Sequence, residues 1–183
     1  MKTLFFDCKI QLILAIAILT GSGINENLFA QEVNHRKHQQ QTDTMHRQEM
    51  IHSMSHMVMP FDMSKVTHYF IKSDKGGDLM IKAKDPEDTT QISLIRDHLR
   101  KEEKLFSQAN FKDPQTLHGA NMPGLDILSK SKGKFETGYN ELIDGAKITF
   151  SSTDPNVINA IHSWFDAQLR DHGSDAKSKE GPR

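Results

Sequence analysis

Histidine and methionine side chains recur in this chain at spacings that could hold a metal ion. In the stretch from 45 to 57 they would share faces at i,i+3 and i,i+4 spacing if the stretch were helical. The candidate ligands of this stretch are His46, Met50, His52, Met54, His56 and Met57. Imidazole and thioether groups together suit copper, and thioether favours its reduced ion. The alternative is a polar linker that carries these residues without a ligand.

Five further candidates lie later in the chain. His118 and Met122 are four residues apart in a long connection that contains Gly and Pro, and both could face a pocket. His162 and Asp166 are one helical turn apart, so the carboxylate could orient the imidazole or share a cation with it. His98 adjoins the apolar stripe of another predicted helix. Each has a structural alternative, because Met122 could plug the core and His118 and His98 could be packed as ordinary histidines.

Other kinds of chemistry find little support in the sequence. It contains no HExxH motif, nucleophile elbow or Gly-rich phosphate loop. The one cysteine, Cys8, lies close to the N-terminus, so the rest of the chain offers no thiolate. An enzyme would have to use His162 and Asp166 as an acid–base pair with His118 nearby.

Residues 1–30 are typical of a secretory signal. Lys2 and Lys9 supply the positive charge before an apolar run from Ile10 to Leu19, and this run is too short to span a bilayer. Cleavage after Ala30 would release a periplasmic or secreted protein without stable membrane insertion, and an uncleaved signal anchor is the alternative. The formal net charge of −1 provides no field that attracts nucleic acid.

The remaining chain divides by composition into three segments. Residues 31–57 are rich in Gln, His and Met and poor in branched apolar residues, which predicts a flexible arm that buries no helix face. Residues 58–173 carry the pattern of a folded domain, and residues 174–183 form a charged tail.

The pattern of the domain is strand–hairpin–strand–helix, and it occurs twice. The strands are predicted at 66–73, 78–84, 134–140 and 146–152. The helices begin after Asp85-Pro86 and Asp154-Pro155, and His172 near the end of the second should be a charged group that complements the helix dipole. Two ββα units predict an α+β fold with a four-stranded antiparallel sheet and two helices on one face. Residues 58–64 or 111–131 would cover the other face, or a partner would.

Four segments between residues 56 and 173 resemble an exported bacterial family whose members often carry the label aspartate carbamoyltransferase. They are His56-Met-Val-Met-Pro-Phe-Asp62, Gln91-Ile-Ser-Leu-Ile-Arg-Asp-His-Leu99, Leu117-His-Gly-Ala-Asn-Met-Pro-Gly-Leu125 and His162-Ser-Trp-Phe-Asp-Ala-Gln168 with Asp171-His-Gly173. The resemblance implies export and no reaction, since the Ser-Thr-Arg-Thr-Arg phosphate loop of transcarbamoylases is not in the sequence. In strand order alone, the repeat also resembles the TATA-binding protein and a periplasmic copper-delivery lipoprotein of nitrous oxide reductase maturation.

Together these features favour an exported metal-binding protein that sequesters or delivers copper. The predicted ligands are His118, Met122, His162, Asp166 and His98 in the domain and His52, His56, Met54 and Met57 in the arm. One alternative is a module that binds a small non-metal ligand or a periplasmic protein through a sheet face or the connection 111–131. The other is an enzyme built on His162 and Asp166.

Overall fold

The computed structural model describes residues 26–180, with side chains described from residue 32 onward. Most of the predicted secretory signal, up to residue 25, therefore lies outside the described residues. The chain divides into two units, residues 1–37 and residues 38–183, and the described part of the first unit is helical. None of the helices in residues 26–180 combines the length and the apolar character needed to cross a membrane.

A mixed five-stranded sheet forms the centre of the second unit, in the order β3-β4-β2-β1-β5. The strands are β1 (Val66–Ser73), β2 (Gly76–Ala83), β3 (Glu136–Leu142), β4 (Gly145–Ser151) and β5 (Ala176–Lys177). The first four pair antiparallel, and β5 pairs parallel with β1. The α+β class is confirmed, whereas the prediction of four antiparallel strands was wrong. The fifth strand comes from the predicted tail and is only two residues long, too short for an alternating pattern to reveal it.

The helices of the described chain are α1 (Glu26–Met54), α2 (Thr89–Phe106), α3 (Lys112–His118), α4 (Leu125–Ser129) and α5 (Pro155–His172). Asp154 caps α5 as its position before Pro155 predicts. At α2 the cap is Asp88, whose carboxylate accepts from the Gln91 amide, so this helix begins after a further turn beyond Asp85-Pro86.

One aromatic cluster joins both long helices to the same face of the sheet. Phe150 of β4 lies 5.6 Å from Phe106 of α2 and 5.5 Å from Trp164 of α5, measured between ring centroids. Trp164 and Phe165 are fully buried. Burial of large aromatic side chains contributes much of the packing energy of a core, which explains why this face excludes water.

The connection between the two ββα units adds α3 and α4. Gly124, which precedes α4, has a φ of 85°, and a Cβ at this position would overlap the carbonyl oxygen of Ala160 in α5. Only glycine allows both this backbone conformation and this approach of the two helices. The close packing places His118, at the end of α3, beside the C-terminal part of α5.

The part of α1 that belongs to the second unit packs against the domain. Ile51 is only 1% exposed, and Ser55 just beyond the helix is also buried. Gln48 donates a hydrogen bond to the carbonyl oxygen of Arg170 at 2.9 Å. The expectation that residues 31–57 bury no helix face therefore fails from Arg47 onward, where one buried isoleucine and several polar contacts hold the helix, whereas residues 32–46 are exposed.

The opposite face of the sheet carries polar and charged side chains. Asp78 accepts a hydrogen bond from Thr149 Oγ1 at 2.6 Å. Lys82 Nζ lies 3.6 Å from Glu180 of the C-terminal segment. Residues 58–64, one of the two segments expected to cover this face, pack on the helix side instead, where Phe61 contacts His68.

Candidate functional site: a buried histidine cavity

Four histidines from four different elements line one cavity between the sheet and the helices. They are His68 of β1, His98 of α2, His118 of α3 and His172 of α5, and none is more than 9% exposed. The cavity has a volume of about 50 Å³, enough for an ion or a few water molecules. We call it the histidine cavity.

Regular spacing brings the lining residues to one place. On α2, His98, Glu102 and Phe106 follow one another at i,i+4 and line the cavity together. On α5, Trp164, Gln168 and His172 do the same. On β1, His68 and Phe70 share a face because side chains alternate along a strand.

Three of the imidazole rings are in contact. His68 and His172 stack with ring centroids 4.7 Å apart and planes at 15°. His118 meets the His172 ring at 5.1 Å and 66°, close to edge-on. The fourth ring, that of His98, stands edge-on to Phe61 at 5.5 Å.

Six polar side-chain atoms of residues that line this cavity have no hydrogen-bond partner within residues 26–180. They are both ring nitrogens of His68, Nδ1 of His172, Oε1 of Glu102, Nε1 of Trp164 and Oε1 of Gln168. Only two other buried side-chain atoms of the described chain share this condition, so the unpaired groups concentrate here. An unpaired buried polar group costs about 1–3 kcal/mol, which a polar guest would recover.

Burial keeps three of the four imidazoles neutral. Desolvation lowers the pKa of His68 to about 3 and that of His98 to about 4, and it lowers the pKa of His172 well below its ordinary value. The expectation that His172 is a charged group at the helix end was therefore wrong, because the end of α5 is covered. A neutral imidazole keeps one nitrogen lone pair available to a cation.

A carboxyl pair lines the cavity next to His98. Burial, and then the hydrogen bond and charge of Asp113, raise the pKa of Glu102 to about 8. Lys101 Nζ lies 2.7 Å from Asp113 Oδ2. It also lies 3.5 Å from Glu102 Oε1, a contact without a hydrogen bond. At neutral pH Glu102 therefore holds a proton, while Asp113 carries the charge that Lys101 balances.

A second carboxylate fixes His118. His118 Nδ1 lies 2.9 Å from Asp171 Oδ2, and Arg47 of α1 binds both oxygens of the same carboxylate at 2.6 Å. Burial opposes ionisation of Asp171, but the hydrogen bonds from His118 and Arg47 outweigh it and lower the pKa of this carboxyl. An ionised Asp171 makes Nδ1 of His118 the donor, so in the neutral ring Nε2 carries the lone pair.

The structure brings two of the sequence-predicted domain ligands, His98 and His118, into the histidine cavity. Met122 is buried in the hydrophobic core. His162 Nε2 lies 3.0 Å from the Ser73 carbonyl oxygen and 2.9 Å from that of Gly76, and so ties α5 to the β1–β2 turn.

The other predicted ligands have separate surroundings. Asp166 pairs with Lys72. His52 Nδ1 lies 3.6 Å from Asp175, His56 Nδ1 lies 2.8 Å from the Ser53 carbonyl oxygen, Met54 is half-buried, and Met57 is 59% exposed. No three His, Cys, Asp or Glu side chains within residues 26–180 converge with the spacing of a metal site.

Sequence reasoning missed His68, His172 and Glu102 as lining residues, and Asp171 with its partner Arg47. The i,i+4 pairs His98/Glu102 and Gln168/His172 were visible as polar residues on otherwise apolar helix faces. Such residues mark a polar interior site when the opposing strand also carries one, as β1 does at His68.

Comparison of the chain with protein-family models, with curated proteins and with solved structures finds no match. The function is therefore argued from the histidine cavity itself.

Proposed function

We propose that this protein binds a metal ion in the histidine cavity, with copper as the first candidate, and that it sequesters or delivers the ion outside the cytoplasm. The observation that carries the proposal is the concentration of imidazole nitrogens without a partner, two on His68 and one on His172, at the wall of a cavity of ionic size. The signal-like residues 1–30 and the resemblance to an exported family support the location.

The chemistry of the lining suits a borderline or soft cation. Imidazole nitrogen is a ligand for Cu, Zn, Ni and Fe, and divalent affinities rise to a maximum at copper. The rings of His68 and His172 are neutral at pH 7, so no proton has to be removed before they coordinate. Because the described chain holds no ready group of three donors, binding requires rotation of at least one ring, a torsion with broad minima.

Burial favours storage or transfer over catalysis. His68 is 2% exposed and His118 and His172 are each 6% exposed, so a bound ion would have little contact with solvent. A catalytic metal keeps an open position for substrate, whereas a structural or carrier site is closed. The low exposure of these histidines therefore supports sequestration.

The test uses the only tryptophan of the chain, Trp164, which lines the cavity. The purified protein is stripped with a chelator and titrated with Cu(II), with Cu(I) under a competing chelator, and with Zn(II). Tryptophan emission and metal retained after dialysis are recorded. We expect one retained ion, quenching of Trp164 by Cu(II), and at least a tenfold loss of affinity in His68→Leu and His172→Leu.

Two controls separate the cavity from the rest of the chain. His46→Gln removes an exposed histidine of α1, and the double change His52→Gln with His56→Gln removes the candidate ligands beside the helix end. Both should retain the ion. Unchanged binding in His68→Leu and His172→Leu, or no retention of any of the tested ions by the wild-type protein, would refute the proposal.

A second candidate function is the binding of a small polar non-metal ligand. The observation that favours it is the unpaired Nε1 of Trp164, because an indole N–H donates a hydrogen bond and cannot coordinate a cation. Gln168 Oε1 beside it is an unpaired acceptor. A shift of the Trp164 indole N–H signal in NMR with an organic ligand, and none with metal, would favour this candidate over the first.

A further inference from the structure

We infer that Arg47 of α1 is a positioning residue for the histidine cavity: through Asp171 it fixes the orientation of His118, so that docking of this helix completes the binding site. The inference rests on the proposed function where it concerns metal affinity. The part that concerns the orientation of His118 can be tested in the metal-free protein.

Arg47 makes three hydrogen bonds that converge on the site. Its Nε and Nη2 bind the two carboxylate oxygens of Asp171, each at 2.6 Å. Its Nη2 also lies 3.0 Å from the carbonyl oxygen of His118. The guanidinium thus holds the backbone of His118 as well as the carboxylate that binds the ring, and its planar fork gives this pairing a fixed direction.

Exposure decreases along this chain of contacts from the surface to the cavity. The side chain of Arg47 is 42% exposed, that of Asp171 8% and that of His118 1%. Asp171 is buried between Arg47 and His118 and binds both, so loss of Arg47 removes the partner that holds the carboxylate in place. Arg47 is therefore the only member of the three that solvent or a partner can reach easily.

The consequence for His118 follows from the sharing of Asp171 Oδ2. This oxygen binds Arg47 Nη2 and His118 Nδ1 together, so the imidazole is held with Nδ1 toward α5 and with Nε2 on the opposite edge of the ring. Carboxylates that orient a ligating histidine in this manner contribute about 10–100-fold to metal affinity.

A second observation links α1 to the cavity. The segment that directly follows the helix supplies Val58 and Met59 to the cavity lining, after the buried Ser55. Docking of α1 residues 47–54 thus also places part of the wall. Because coupling between two events is reciprocal, an ion that binds the completed cavity should stabilise the docked helix.

The experiment compares Arg47→Gln and Arg47→Lys with Arg36→Gln, a control on the same helix. The side chain of Arg36 is 74% exposed and pairs with Glu32 at 2.6 Å. In the metal-free proteins, the ring Nδ1–H signal of His118 in proton NMR reports its hydrogen bond to Asp171. We expect a hydrogen-bonded, slowly exchanging Nδ1–H signal in the wild type and in Arg36→Gln, and its loss through exchange with water in Arg47→Gln. Metal affinity should fall 10–100-fold in Arg47→Gln and less in Arg47→Lys, with no change in Arg36→Gln.

The outcomes separate this inference from the proposed function. If the wild-type protein binds none of the tested ions but the Nδ1–H signal of His118 is lost in Arg47→Gln, the function is refuted and the positioning role remains intact. A folded Arg47→Gln protein with the wild-type Nδ1–H signal and affinity refutes the positioning role. If Arg47→Gln does not fold, Asp171→Asn serves instead. The amide oxygen of the introduced side chain can still accept a hydrogen bond from His118 Nδ1, but the charge that pairs with Arg47 is lost. An unchanged metal affinity in Asp171→Asn overturns the inference.

Discussion

Replacing Glu102 by Gln should stabilise the protein, and by an amount that grows with pH. The side chain is 4% exposed, and its surroundings raise its pKa from 4.5 to about 8. Between these values the folded state holds a proton that the unfolded chain has released. Unfolding then releases a proton, so the stability contributed by the neutral carboxyl is fully present below pH 4.5 and is lost as the pH rises towards 8.

The size of the effect follows from the same two values. Each pH unit between 4.5 and about 8 costs the wild-type protein about 1.4 kcal/mol of unfolding free energy, and the full interval costs roughly 5 kcal/mol. Gln has nearly the shape of a protonated Glu, and its amide can donate to Asp113 in the same way. The variant therefore keeps the packing but lacks this dependence on pH, and should be more stable than the wild type by about 3 kcal/mol at pH 7.

Urea unfolding of the metal-free proteins at half-unit steps from pH 5 to pH 8 measures the difference. Glu103→Gln, at the next position of α2, is the matched control, because Glu103 accepts a hydrogen bond from Thr137 away from the cavity. The reasoning about Glu102 is refuted if the difference in unfolding free energy between Glu102→Gln and the wild type does not change with pH.

Two further predictions concern stability. His68 has a folded pKa of about 3 against 6.5 in the unfolded chain, so unfolding takes up a proton between these values and stability falls as the pH falls. His68→Leu should remove about 1 kcal/mol per pH unit of this acid sensitivity between pH 4 and 6. If the unfolding free energies of the variant and the wild type, measured with urea, change with pH in parallel, this prediction is contradicted. Gly124→Ala should lower the free energy of unfolding by about 2 kcal/mol or more, because the new methyl group overlaps with Ala160. The control Gly133→Ala, at a residue with a φ of 77° and open space around it, should cost only about 1 kcal/mol. Equal shifts of the unfolding temperature in the two variants would show that the contact with α5 is unimportant.

The skeleton of the fold could be predicted because its signals are local. The glycines at Gly76-Gly77 and Gly145 predict two hairpins, and the structure places their turns directly before these glycines, at residues 74–75 and 143–144. Asp154-Pro155 marks the start of α5. Each signal depends on residues within a few positions of one another. Docking of α1 could not be predicted in this way, because it depends on Ile51 and on the distant partner Asp171 of Arg47, and neither forms a periodic pattern.

The site was predictable only in part for a related reason. His98 and His118 were identified by residue type, and the structure places both in the cavity. His172 was misinterpreted because a histidine at a helix end is usually solvated, and only the tertiary contact with His68 reveals its burial. His162 and Asp166 have the right spacing for a pair, but Asp166 contacts Lys72, a residue 94 positions earlier in the chain that no helical spacing could indicate.

The strongest reason to regard the histidine cavity as a binding site is energetic. Six buried polar atoms of the lining residues have no partner within residues 26–180. At about 1–3 kcal/mol each they would cost on the order of 6–18 kcal/mol, which is comparable with the usual stability of a domain. Apolar side chains of similar volume would remove this cost, so retention of His68, Glu102 and Gln168 at these positions requires a compensating interaction. A guest that satisfies the imidazoles supplies it, and a guest bound only to the folded state must raise the unfolding temperature as its concentration rises. A site that served packing alone would show no such dependence on any ion or ligand.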